Sequence, residues 1–412
     1  MRIRKKYLFY FLAFSSSIIA ALISGIDAIL NLYIESPLVL GLSIFIMGVF
    51  ISFLFSLILS INYKGKSIGA RTVDPTFKGI RLIKKQEIKY QLLSGAGNAI
   101  LTIGYFALLA IIRDPSIVLP FSQVVILYLV IIESLSEKDT PTLVEIQSSI
   151  IVTFGAILGS ISLSGDLSLE ALAIVFLVIN PGWVLLSIYQ RKLKIMKING
   201  SSNDAINIRL WNVIVACLFT SFFVMIYDFL QGTNLLIESF FATFEYFGWI
   251  ALIAFGVFFS FIFYIRALGI GKASVTQAVK ASIIIFSIPV SIILSYFGFI
   301  DPIFTDPVLI LIKLMGIVLM LLGILSFALT LTKAYVFIKM KSGYPIEETM
   351  KQLWDIKGVN RVCAVAGDYD FIIKIRTRTL VKGYERILRK IETIEAIKEY
   401  KWQSVLKEWE DI

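Results

Sequence analysis

Eight polar side chains stand inside long apolar runs of this chain: Asp27, Asn98, Tyr105, Gln123, Asn180, Trp183, Gln277 and Lys280. A polar or ionised group in hydrocarbon is costly, so each is a candidate for a solute pathway. Asp27 is either a proton- or cation-coupling group or an acid solvated at the interface. Lys280, one turn after Gln277, either meets a substrate carboxylate or snorkels to the nearer face. The remaining five either line a pore or make interhelical hydrogen bonds. Asn180-Pro181-Gly182 is expected to break its helix and free carbonyls for a ligand. Glu133 and Lys313 sit near helix ends, where interface solvation is expected. Catalysis has no comparable set of residues. Paired carboxylates, nucleophile–base pairs and phosphate loops are missing, so no catalytic residue is assigned and no enzyme is expected. There is no His, which removes imidazole relays and His-ligated metals; neither a metal nor a cofactor is expected.

The elements that must position these residues are membrane helices. The 412 residues are 58% hydrophobic and 17% charged, with a mean hydropathy of +0.84. A soluble domain carries roughly 25% charged residues, so a soluble enzyme, a secreted disulfide scaffold and a disordered chain are excluded. Charge is concentrated at one end: residues 333–412 hold 16 Lys and Arg and 12 Asp and Glu, leaving 23 and 17 for the first 332. Cys217 lies in an apolar run and Cys363 in the charged tail, which argues against a disulfide. Ten apolar runs of spanning length are read at about 7–32, 37–61, 90–112, 116–135, 142–163, 168–189, 206–229, 246–265, 273–297 and 308–332. Nineteen Lys and Arg fall in the connections on one side and Arg113 alone on the other. The positive-inside rule then places both termini in the cytoplasm of a multi-pass cell-membrane protein, and no nucleic-acid partner is implied. In the connection 62–89, Phe77, Ile80, Ile83 and Ile88 interleave with Lys78, Arg81, Lys84 and Lys85. That pattern predicts a basic helix lying on the lipid bilayer, against a plain solvated loop.

Two stretches repeat. Tyr105-Phe106-Ala107-Leu108 followed by Pro115-Ser116-Ile117-Val118 matches Tyr264-Ile265-Arg266-Ala267-Leu268 followed by Gly271-Lys272-Ala273-Ser274-Val275. The copies lie five spans apart, which predicts an inverted 5+5 repeat, about 7–163 and 168–332, with a shared site near the midplane. Both stretches, with Glu137 after the first and "NPGWVLLSIYQRKL" opening the second half, resemble the ten-helix, EamA-like members of the drug/metabolite transporter superfamily. The resemblance covers about residues 7–332 and implies transport of small metabolites, often efflux of amino acids or related compounds.

The tail, 334–412, reads as a second, small α+β domain. Residues 334–341, 361–366, 371–376 and 397–406 are strand-like. Pro345 opens one helix, and Leu380, Tyr384, Ile387, Leu388 and Ile391 fall at helical spacing for another. The order βαββαβ predicts a ferredoxin-like fold. The tail resembles the effector-binding domain of leucine-responsive/AsnC regulators through "GDYD" followed by an apolar strand. The resemblance implies homodimerisation and an amino-acid effector near Gly367, Asp368, Tyr369 and Asp370; the bland reading is that these four only build a turn. The expectation is therefore a secondary transporter, exporting or exchanging a small polar metabolite such as an amino acid or related compound, with a cytoplasmic regulatory domain. The alternative is a membrane-anchored amino-acid sensor that moves no solute.

Overall fold

The computed structural model describes residues 5–112, 122–136, 143–159, 170, 173–198, 200–299, 307–329, 332–356, 358–377 and 387–404. The repeat stretch 115–118, Glu137 and the tail residues Leu380 and Tyr384 lie outside them. The chain divides into two compact units, 1–140 with 149–324, and 141–148 with 325–412.

The first unit is helical. Its main elements are α1 (Lys5–Tyr33), α2 (Pro37–Ser60), the short α3 (Ile68–Thr72), α4 (Lys85–Ile112) and α5, a 3₁₀ turn Ser122–Val124 running into Val125–Ser136. Then come α6 (Leu143–Gly159), α7 (Ile174–Ile195), α8 (Ala205–Gln231), α9 (Leu235–Glu245), α10 (Phe247–Ile270), α11 (Ala273–Lys280), α12 (Ile283–Tyr296) and α13 (Pro307–Leu329). Among the described residues, seven helices are long and apolar enough to cross a membrane: α1, α2, α4, α7, α8, α10 and the combined α11–α12. Shorter apolar helices occur at Ile146–Gly155 and Leu314–Gly323.

Local chemistry sets the ends. Ser36 caps α2 ahead of Pro37, its hydroxyl accepting from the Val39 amide. Asp204 caps α8 by accepting from the Asn207 amide at 2.7 Å, and Gly232 closes that helix at φ +68°, a conformation favouring glycine. Helix contacts are close where glycine permits. A Cβ on Gly97 of α4 would lie 2.7 Å from the Leu186 amide nitrogen and 2.8 Å from the Gly182 carbonyl of α7. A Cβ on Gly256 of α10 would lie 2.7 Å from Ile23 of α1.

Two expectations about backbone are corrected. Asn180-Pro181-Gly182 does not break its helix: Ile174–Ile179 is a π-helical stretch that runs directly into Asn180–Ile195. Pro181 follows directly on this stretch, whose wider i→i−5 pattern carries the Asn180 amide to the Val175 carbonyl, and the chain passes the proline without a break. The interruption lies instead in the ninth run, where Ala281 and Ser282 link α11 to α12 through i→i+3 bonds, Ser282 N to Val279 O at 3.1 Å and Ile284 N to Ala281 O at 3.1 Å. The connection 62–84 is not an amphipathic helix either. After α3 it runs without helix, and Phe77, read as lipid-facing, is 1% exposed beneath Ala205, Ile206 and Ile262.

This connection is a polar knot between α2, α4, α7 and α8. Lys194 donates to Asp74 at 2.7 Å and to the Asn203 carbonyl at 2.6 Å. Arg81 grips Glu87 with two bonds of 2.6 and 2.7 Å, and Asn203 bridges both. Asn207 accepts from the Arg81 amide, and Trp211 donates to the Arg81 carbonyl. Burial pushes the Asp74 carboxyl up, but the Lys194 ammonium and the Ala205 and Thr76 amides outweigh it and hold it below its ordinary value. A carboxyl held down in the folded state stabilises above its unfolded value of ~3.9 and loses that contribution as pH falls from there through the lower folded value. Thermal stability of the purified protein is therefore expected to drop as pH falls below about 5, and Asp74→Asn to flatten that slope. Burial pushes Asp204 the other way, helped by the Asp74 charge that the substitution removes. Asp74→Ala, which strands Lys194, is expected to cost about 3–5 kcal/mol at neutral pH.

The second unit is built on an antiparallel sheet. Strands β5 (Thr332–Met340), β6 (Val359–Ala364), β7 (Phe371–Thr377) and β8 (Ile397–Ser404), numbered after two short hairpins (Asn62–Tyr63 with Lys66–Ser67, Lys197–Ile198 with Ser201–Ser202), pair in the order β6-β7-β5-β8. Register places Ala334 opposite Ile375, Val336 opposite Ile373 and Ile338 opposite Phe371. These six side chains point to one face, where α14 (Ile346–Trp354) and a helix at 387–392 add Leu353, Ile387, Leu388 and Ile391 to the core. Tyr335, Phe337 and Ile372 alternate onto the other face and stay half-buried.

Candidate functional site

A cavity of about 160 Å³ opens among α1, α2, α4, α5, α7, α8, α10, α11 and α12. Six of the eight sequence-derived pathway residues line it: Asp27, Asn98, Tyr105, Gln123, Trp183 and Lys280. Gln277 is fully buried beside it and donates to Gln123 at 3.3 Å. Asn180 is also fully buried, with both polar atoms unpartnered, but it does not reach the cavity wall. The rest of the lining is mainly aliphatic and aromatic, including Ile23, Ile44, Phe45, Leu101, Val257 and Ile283.

Lys280 ends α11 at the helix interruption, and its ammonium does not snorkel to a surface. The residue is 5% exposed. Its Nζ lies 4.2 Å from the ring centre of Trp183, 4.5 Å from Tyr264 and 5.6 Å from Phe261, an aromatic box that attracts a cation. Asp27 is 6% exposed, so it is no interface acid. Its Oδ2 accepts from the Tyr105 hydroxyl at 3.3 Å while Oδ1 has no partner.

A third charged residue was not singled out in the sequence. Arg209, one turn inside α8 and 2% exposed, lines the same cavity. Its guanidinium sits 4.3 Å from the Phe261 ring centre, NH1 reaches Asn212 Oδ1 at 3.3 Å, and Nε is unpartnered. Asn98 donates to the same Asn212 oxygen at 3.0 Å. The signal was available: an Arg within an apolar run is subject to the argument made for Lys280.

Below Trp183, Ser187 of α7 and Tyr264 of α10 share a 2.6 Å hydrogen bond. Glu133 of α5 is buried rather than solvated. It accepts from the Ala273 and Ser274 amides at 2.8 and 3.1 Å and from the Ser274 hydroxyl at 2.6 Å, with Arg191 at 3.8 Å. A carboxylate in that place satisfies the orphan amides at the start of α11, so the half-helix carrying Lys280 is anchored at its other end. Among the described residues no group of His, Cys, Asp and Glu is arranged to hold a metal.

In the tail, the predicted effector residues form the β6–β7 connection. Gly367 has φ +149°, and Asp368 is exposed. The Tyr369 ring lies 5.5 Å from Phe337. Asp370 is occupied structurally: its Oδ2 accepts from the Met340 amide at 2.6 Å, and its own amide donates to the Ile338 carbonyl at 2.9 Å.

No curated protein matches the chain. A solved structure described only as "Crystal structure of protein" is similar over 75% of this chain and 98% of its own, at 12% identity and a TM-score of 0.43. Residues 333–411 match the family model of the Lrp/AsnC ligand binding domain. The chain thus joins a run of apolar, membrane-compatible helices to a C-terminal Lrp/AsnC ligand-binding domain.

Proposed function

We propose that the protein is a secondary transporter of a small polar metabolite, such as an amino acid or related compound, built from two inverted five-span halves and regulated by its C-terminal domain. The observation that carries this reading is the cavity, where charges from both halves converge with no ion-pair partner among the described residues. The halves are α1, α2, α4, α5, α6 and α7, α8, α10, α11–α12, α13. Packing supports the exchange of one for the other: α4 packs on α7 as α10 packs on α1, α8 on α4 as α2 on α10, and α7 on α5 as α1 on α12. Tyr105 and Tyr264 are 159 residues apart, as are the contact glycines Gly97 and Gly256. Tyr105 bonds Asp27 on the first helix of its half, and Tyr264 bonds Ser187 on the first helix of the other. Such duplication supports ten spans, the EamA-like fold and alternating access around one midplane site.

The tail supports small-molecule regulation. Its antiparallel sheet, the half-buried Tyr335, Phe337 and Ile372 on the sheet face away from α14, and the 367–370 turn fit a ferredoxin-like domain that pairs with a second copy and takes an effector. A ligand shifts transport only if it binds two transporter states unequally. Only Thr330 and Leu331 separate α13 from β5, a short linker for such coupling. Flux in vesicles is expected to respond to an amino-acid effector in the full chain and to lose that response in a chain ending at Thr332. Equal responses would remove the tail from the transport cycle. A protein that binds solutes but moves none across proteoliposomes would be the membrane-anchored sensor instead.

A further inference from the structure

We propose that the central cavity selects a carboxylate-bearing organic monoanion, held between Arg209 and Lys280, which deepens the transport reading and rests on it. The two cations face one ring: the Arg209 guanidinium is 4.3 Å and the Lys280 ammonium 5.6 Å from the centre of Phe261. Those distances hold the charges within about 10 Å of each other. A carboxylate accepting a charge-assisted bond of roughly 2.8 Å on each oxygen bridges cations up to about 8 Å apart, inside that bound. Neither cation pairs with a carboxylate among the described residues, and Arg209 Nε is buried without a partner.

Charge then decides the class of ligand. Arg209 and Lys280 against Asp27 leave one positive charge in excess inside a largely apolar wall. A buried charge is costly unless paired. A monoanion neutralises the excess, a zwitterion leaves it, and an amine raises it. The free Oδ1 of Asp27 accepts a bond from a donor on the ligand, and a 2-hydroxyl beside the carboxylate supplies one without adding charge. Ile44, Phe45, Leu101 and Val257 leave the body of the ligand an apolar environment. A cavity of about 160 Å³ limits that body to a short chain or a single ring, since an apolar cavity of ~150 Å³ holds benzene.

The test uses three solutes sharing one isopropyl group on the full-length protein in detergent: the isosteric pair 2-hydroxy-3-methylbutanoate and valine, and isobutylamine, which is valine without its carboxylate. Saturable thermal stabilisation is expected for the hydroxy acid, at least tenfold weaker for valine and absent for the amine. Arg209→Gln is expected to weaken hydroxy-acid binding at least tenfold and Arg209→Lys to weaken it less. The wild-type series needs no variant, so misfolding of either leaves the test intact. Valine or isobutylamine binding as tightly as the hydroxy acid, no saturable binding of the hydroxy acid, or unchanged affinity in Arg209→Gln would overturn the assignment. Flux of the same solutes in proteoliposomes separates the two layers. Hydroxy-acid binding without flux overturns transport and keeps the anion site; flux of valine or the amine without preference for the hydroxy acid overturns the anion site and keeps transport.

Discussion

Lys280→Met is expected to lower solute flux at least about 30-fold while leaving thermal stability unchanged or raised. Truncating one member of a buried charge contact costs roughly 2 kcal/mol or more in binding, and 1.4 kcal/mol is a factor of ten. The stability effect has the opposite sign for a physical reason. Without ligand, Lys280 carries a desolvated charge with no ion pair among the described residues, supported only by the rings of Trp183, Tyr264 and Phe261. A methionine of similar length removes the charge and keeps the contacts with those rings, and exchanging a buried charge for an apolar side chain is often neutral or stabilising. A residue whose loss harms function and spares the fold is one retained for function. Flux in proteoliposomes beside a melting curve in detergent checks both halves of the expectation. Flux that survives Lys280→Met would return this residue to a packing role.

Gly97→Val is expected to be strongly destabilising. Even one Cβ at this position meets backbone atoms of α7, the Leu186 nitrogen and the Gly182 carbonyl, at under 3 Å. Backbone cannot rotate away as a side chain does, so α4 and α7 must separate, and overpacking typically costs 1–3 kcal/mol, occasionally more. Both helices also supply the cavity, through Asn98, Tyr105 and Trp183. Gly248→Ala is the control, because nothing lies within 4 Å of its Cβ position and the exchange favours a helix. A large drop in melting temperature for Gly97→Val and little change for Gly248→Ala is expected; equal effects would mean that α4 and α7 are not locked by this contact.

The sequence made the polar residues conspicuous because hydrocarbon leaves so few reasons for them. Asp27, Tyr105 and Lys280 stood out on that ground, and they meet in one cavity. Arg209 was missed because it lies close to a helix start, where a cation ordinarily reaches the interface. Pro181 and Gly182 suggest a break that does not form, because the chain absorbs them with a π-helical stretch and a close approach to α4. The interruption that matters, at Ala281–Ser282, carries neither Pro nor Gly and had no local signal. Phe77 misled for a related reason. Its interleaving with basic residues is what a lipid-surface helix needs, and equally what a polar knot with one buried anchor needs; only tertiary partners such as Asp204 and Asn207 decide between them. In the tail the strand pattern was legible because alternate residues face one core, and the β5–β7 register follows it.

Alternating access through the central cavity is best probed at Thr102, which lines it. In a background where Cys217 and Cys363 are serine, Thr102→Cys should react with a membrane-impermeant maleimide applied from either face of a vesicle, and bound solute should slow both reactions. A thiol at 102 that reacts from one face alone, whatever solute is present, would contradict a site shared between two oppositely mounted halves.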